Sequence, residues 1–314
     1  MTKSKQGVPQ LDPDAAARVA QFGDVAPMRE RGLDAVRDAL ESAPLPEMPE
    51  MADVEGRNIE GPVGEIPLRI YRPSTDSGAP AVVYFHGGGM VLGSNHSFEP
   101  LARNIAHHSH STVVSVDYHL APEAAPPAQF DDAYAATRWV AEHADDLRID
   151  GTRVAVAGDS AGGTLAAGVA LAARDRGGPA LFAQILMYPG VDKDLEVPSI
   201  RSMPEAPMLR VVDIEYMHEL ADGPEHPYTI PARAQDLSGL PQAIVVTAES
   251  DPIRDWGERY ADRLRDAGVQ TTVTRYPGIY HGFLMRSEAT ARGRLAVAEI
   301  GALLRAKFAH PLPF

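Results

Sequence analysis

The chain has 314 residues, 43 of them acidic and 29 basic, for a formal net charge of −14. That surplus opposes nucleic acid or an anionic membrane surface as a partner, and no apolar run is long enough to span a bilayer. The sequence holds no cysteine, which excludes disulfides, a thiol nucleophile and a Cys-based zinc site. Its opening, Met1-Thr2-Lys3-Ser4-Lys5-Gln6, is polar and lacks a secretory apolar core, so a cytoplasmic location is the default expectation. With 23% charged and 44% apolar residues, the composition suits a sizeable core, either one large α/β domain with a lid or two average domains.

Asp12-Pro13 supplies an N-cap and a proline at the first helical position, so a helix is expected from there to near Gly23. A second helical stretch runs from about Met28 to Ser42, and Pro44, Pro46 and Pro49 then break the chain. Residues 1–50 therefore read as a helical arm that forms part of a cap, ahead of a catalytic domain over 51–314. Alternating stretches at 54–59 and 66–71 read as an antiparallel hairpin. Strands near 80–85, 112–117, 153–158, 183–188, 243–248 and 270–276 then alternate with helices near 98–108, 128–146, 161–175, 254–267 and 289–308. Two of those helices carry clear periodicity, one through Ile253, Trp256, Tyr260 and Leu264, the other through Val297, Ile300, Leu304 and Phe308. Such alternation implies a mostly parallel sheet with helices on both faces. The 270–276 strand is a candidate sheet edge, through which two copies could pair as a homodimer. One insertion, about 190–235, interrupts the pattern and is too long for a plain crossover. It reads as a helical lid, and its Met203, Met208 and Met217 either line an adaptable pocket or form the lid's own core.

Gly158-Asp159-Ser160-Ala161-Gly162 reads G-x-S-x-G, preceded by the apolar run 153–157 and followed by the small-residue helical stretch 163–170. Strand, tight turn and helix in that order define a nucleophile elbow, with Ser160 at a helix N-terminus where free N–H groups favour developing negative charge. A second motif, His86-Gly87-Gly88-Gly89, directly follows the run 81–85. An H-G-G-G segment after a strand supplies half of an oxyanion hole, because glycines let main-chain N–H groups approach a carbonyl.

These motifs, with Tyr118-His119-Leu120-Ala121-Pro122-Glu123, Asp251-Pro252-Ile253-Arg254-Asp255 and His281-Gly282-Phe283, resemble the bacterial hormone-sensitive-lipase-like esterases with a G-D-S-A-G elbow. The resemblance runs from about residue 55 to the C-terminus and implies an α/β-hydrolase fold with a helical cap. It also implies a serine carboxylesterase acting on short- to medium-chain acyl esters, with the N–H groups of Gly88 and Gly89 joining that of Ala161 in the oxyanion hole. His119 and Met90 stand where the family usually has an arginine and an aromatic residue.

In α/β-hydrolases the triad runs Ser, acid, His. Four histidines follow Ser160: His218 and His226 lie in the insertion, His310 lies near the end, and His281 follows the last strand, which favours His281 as the base. Glu249, Asp251 and Asp255 all lie just past the strand at 243–247. Asp255 suits the first turn of the next helix whatever the function, Glu249 can point either way, and Asp251 is held in the loop by Pro252. The family motif also puts the acid at Asp251, which is the favoured residue. His107, His108 and His110 fall at a helix C-terminus, so they read as dipole partners, and neither metal nor cofactor is expected. The pairs Asp131-Asp132 and Asp145-Asp146 read as solvated charges, and Glu123 as a loop anchor. An amidase or formamidase on the same fold, or a ligand receptor without catalysis, are the alternative readings.

Overall fold

A computed structural model describes residues 9–311. The polar opening Met1–Gln6 lies outside the described residues. An arm of α1 (Pro13–Phe22), α2 (Met28–Arg31) and α3 (Leu33–Glu41) precedes β1 (Asp53–Glu60), β2 (Glu65–Arg72) and β3 (Ala79–Phe85). Then follow α4 (Glu99–Ser109), β4 (Thr112–Val116), α5 (Ala128–Glu142), β5 (Ile149–Asp159), α6 (Ala161–Asp175) and β6 (Ala183–Met187). The insertion carries α7 (Pro198–Ser202) and α8 (Val211–Leu220), and β7 (Gln242–Ser250), α9 (Arg254–Asp266), β8 (Thr271–Tyr280) and α10 (Ala291–Ala309) complete the chain.

The eight strands form one sheet in the order β1-β2-β4-β3-β5-β6-β7-β8. The hairpin is antiparallel, as is the β2–β4 pairing, and every later pairing is parallel. The central parallel strands are buried on both faces, which is why β4 (TVVSV) and β6 (AQILM) read as continuous runs instead of alternating. One face packs on α5, α6 and α9 through Phe130, Leu165, Trp256 and Tyr260. The other packs on α4 and α10 through Leu101, Ile105, Val297 and Leu304. Adjacent parallel strands all end on the same side, so β3, β5, β7 and β8 deliver their C-terminal residues to one crevice. No helix among the described residues is long and apolar enough to cross a membrane.

Several local expectations change. The helix read over 28–42 is two pieces, because Gly32 sits at φ 82° and ends the first turn. The helix expected to reach 146 stops at Glu142, and Asp145-Asp146 lie exposed in the turn beyond. Asp132 is fully buried, contrary to its reading as solvated. Its carboxylate accepts from the backbone N–H of His119 at 3.0 Å and faces the His119 ring at 2.6 Å, so His119 anchors this loop where the family usually has arginine. Asp12 occupies the N-cap position but makes no side-chain cap; its carboxylate accepts instead from Arg292 at 3.0 Å. Strand β8 does lie at the sheet edge, and it continues to Tyr280, four residues past the expected end.

Candidate active site

Ser160 sits between β5 and α6 at φ 53° and ψ −118°, a strained conformation for a residue with a side chain. The surroundings enforce it. Ser160 N–H donates to Met187 O at 2.8 Å, and its own carbonyl accepts from Gly163 and Gly190, both at 3.0 Å. An added Cβ at Gly158 would fall onto the Gly162 carbonyl, and one at Gly162 onto the Phe85 carbonyl, so both elbow glycines are steric necessities.

The structure brings the three expected side chains together. His281 Nε2 lies 2.9 Å from Ser160 Oγ, and His281 Nδ1 lies 2.8 Å from Asp251 Oδ2. The serine is partly open to the cavity, whereas His281 is 8% exposed and Asp251 fully buried. Asp251 Oδ1 is engaged by the Ile253 N–H at 2.9 Å, which fixes the carboxylate. The edge of the Tyr188 ring supports the imidazole, with centroids 4.9 Å apart. Neither competing acid reaches the imidazole. Glu249 accepts from Gly278 N–H at 2.9 Å, and Asp255 accepts from Ser199 N–H at 2.9 Å in the first turn of α9.

The H-G-G-G segment lies beside the elbow. The N–H groups of Gly88, Gly89 and Ala161 donate to no other group among the described residues. Three such donors next to a serine suit a developing oxyanion. His86 is fully buried, its ring stacked between Tyr118 at 4.4 Å and Phe98 at 5.3 Å, and burial pushes its pKa down. Its Nδ1 donates to Gly87 O at 2.8 Å, which makes it a loop support.

Ser160 opens into a cavity whose walls include Met90, Phe130, Leu165, Ile214, Met217 and Trp256. Met217 faces the cavity and Met203 is buried, one in each of the two roles considered, whereas Met208 stands exposed and fills neither. His218 also lines this wall and stacks on Trp256 at 6.1 Å. Burial, and then the Lys193 charge, drive its pKa down to about 4, so it is neutral at ordinary pH. Sequence periodicity identified Trp256 of α9 and Ile253 just before it as core positions but not as cavity walls, and nothing in the local pattern marked His218. Among the described residues no cluster of His, Cys, Asp or Glu could hold a metal ion, His107, His108 and His110 included.

The arm and the insertion pack on each other above this cavity. Met28 N–H donates to Asp213 Oδ1 at 2.7 Å, and Arg210 donates to Val25 O at 3.0 Å. Arg37 of α3 reaches further: it donates to Val91 O and Ala121 O, both at 2.8 Å, and pairs with both oxygens of Glu123. Glu123 is thus the anchor expected, and its partner is the arm.

A nucleophile elbow on a mostly parallel sheet, with the acid and the histidine at the ends of later strands, defines an α/β-hydrolase. The family model for the alpha/beta hydrolase fold matches residues 82–285, and the chain belongs to that family. It is 42% identical to esterase LipI of Mycobacterium tuberculosis over 294 residues, covering 87% of this chain and 91% of that one. It is 39% identical to carboxylesterase NlhH of the same organism over 316 residues, covering 95% and 98%. Among solved structures, a hyperthermophilic esterase from the archaeon Pyrobaculum calidifontis superposes with a TM-score of 0.89 at 38% identity, covering 95% of this chain and 99% of that one. A thermostable esterase from Pseudomonas putida gives 0.90 at 33% identity, covering 96% and 98%. The resemblance to bacterial hormone-sensitive-lipase-like esterases read from the motifs is borne out.

Proposed function

We propose that this chain is a serine carboxylesterase that cleaves short- to medium-chain acyl esters through an acyl-enzyme. The observation that carries the reading is the unbroken hydrogen-bonded series Ser160 Oγ, His281 Nε2, His281 Nδ1, Asp251 Oδ2. The esterase names of the relatives support it. Ser160 attacks the ester carbonyl while His281 takes its proton. Asp251 holds the imidazole tautomer and stabilises the imidazolium without taking the proton itself. The N–H groups of Gly88, Gly89 and Ala161 receive the oxyanion, each donor contributing about 2.7–4 kcal/mol to the transition state. His281 then protonates the leaving alcohol, and water attacks the acyl-enzyme by the same route in reverse. The apolar cavity suits an acyl chain better than a charged group.

The test is a graded series of 4-nitrophenyl esters set against a matched 4-nitroanilide. Turnover should peak at short or medium acyl length, greatly exceed amide cleavage, and disappear in Ser160→Ala. Preferential amide cleavage would move the chain to the amidase reading, and turnover that survives Ser160→Ala would refute the assignment. Pairing of two copies along the β8 edge belongs to the same reading, as does a cytoplasmic location; sedimentation and cell fractionation test them.

A further inference from the structure

We propose that Asp159 is a positioning residue for this reaction: its carboxylate ties the H-G-G-G loop to the nucleophile elbow and so holds the oxyanion donors in aim. The inference rests on ester hydrolysis at Ser160 as read above and concerns what fixes the hole before substrate arrives.

Asp159 is the last residue of β5, next to the nucleophile, and is 2% exposed. Among the described residues its carboxylate has no ion-pair partner within 4.0 Å. A buried, unpaired carboxylate is costly to the fold. Burial drives its pKa up to about 6, against the opposing pull of its two hydrogen bonds. Both bonds fall on one oxygen: Oδ1 accepts from Tyr84 Oη at 2.6 Å and from Gly87 N–H at 2.9 Å. The loop packs directly on the carboxylate, since a Cβ added at Gly87 would stand 2.6 Å from Oδ2.

The backbone geometry shows what that contact controls. The His86 carbonyl and the Gly87 N–H belong to one rigid peptide plane. Tyr118 Oη donates to the carbonyl at 2.8 Å, while Asp159 receives the N–H on the opposite edge. The next plane holds the Gly87 carbonyl and the Gly88 N–H, and His86 Nδ1 grips it at that carbonyl. Beyond this point the N–H groups of Gly88 and Gly89 are free among the described residues. The third plane, the Gly88 carbonyl with the Gly89 N–H, is gripped from downstream by the Val91 and Leu92 N–H groups at 3.0 and 2.9 Å, so the donors are aimed by a clamp at each end, of which Asp159 belongs to the upstream one. A triglycine loop without that clamp would sample many conformations, and oxyanion stabilisation depends on donors fixed in advance.

The experiment uses the full chain, a good ester substrate and a trifluoromethyl ketone. The ketone carbonyl accepts Ser160 Oγ, the serine proton passes to His281, and the resulting hemiketal oxyanion sits in the hole. Asp159→Ala should lower kcat by on the order of 10²-fold. Ketone affinity should weaken in parallel, with KM changed by no more than roughly threefold. Asp159→Asn keeps an oxygen acceptor in place and should recover at least roughly tenfold of the lost kcat. Asp159→Ser, polar but too short to reach Gly87, gives the same readout should the alanine variant fail to fold. Wild-type kcat and ketone affinity in Asp159→Ala or Asp159→Ser would overturn the proposal. So would a rise in KM that matches the fall in affinity, or an asparagine variant no better than alanine. Absence of Ser160-dependent turnover in the wild-type chain would instead strike the ester reading on which this one stands.

Discussion

The sheet crevice and the cap are built from different materials. In the crevice, Ser160, Asp251 and His281 each sit one residue past the end of a strand in one parallel ladder, the first two after buried strands and the third after the buried C-terminal end of the edge strand β8. The cap consists of short helices that touch through single hydrogen bonds and exposed ion pairs such as Arg29–Glu219. It leaves Phe22, Val25, Met208 and Val212 exposed. The chemistry thus resides on the sheet, whereas one wall of the cavity, through Ile214 and Met217, is carried by the more loosely tied cap.

The largest expected contrast between the two is catalytic. Replacing His281 with alanine should cost on the order of 10⁶-fold in kcat, because triad members act as a unit. Met217→Ala, on the cap wall, should change KM by less than roughly tenfold and leave kcat near wild type for a short acyl chain. Comparable kcat losses from the two would erase the distinction.

A second contrast lies in acid stability. His218 has a folded-state pKa of about 4 against an ordinary value of 6.5. Between those values the unfolded chain binds the extra proton and the folded chain does not. Stability that is complete above pH 6.5 should therefore fall as pH drops towards 4, by about 3 kcal/mol from this group. Urea unfolding at pH 7 and pH 4.5 measures it, and His218→Phe should flatten the difference. An unchanged slope would show that the cap opens before it is titrated.

The smallest effects distinguish two of the arm's tethers. Arg37 is 20% exposed and serves two carbonyls as well as Glu123, so Arg37→Ala should cost about 2 kcal/mol and lower kcat by loosening the Val91 end of the oxyanion loop. Arg29 pairs with Glu219 with both side chains more than half exposed, and Arg29→Ala should leave thermal unfolding almost unmoved. Equal shifts in thermal unfolding would mean that the arm docks as one block.

Legibility in the sequence followed the same division. The elbow, the H-G-G-G loop, Asp251 and His281 were readable because each lies at a strand end flagged by its own glycine or proline. Gly32 was a readable break in the 28–42 helix that the apolar pattern masked. Asp132 could not be recognised as buried from its charge, since its partner His119 approaches from another loop. Asp159 occupied the variable position of G-x-S-x-G, where a motif carries no expectation, and its role depends on Gly87 and Tyr84, both more than seventy residues away.

The sequence by itself determined the order of strands and helices, the turn that exposes Ser160 and the identity of its two partners, because hydrophobic period and turn chemistry act over a few residues. The tertiary structure alone decided which cap side chains face the cavity, which carboxylates are buried and what holds the oxyanion loop. Those depend on packing between segments far apart in the chain, where direction and distance leave no local trace.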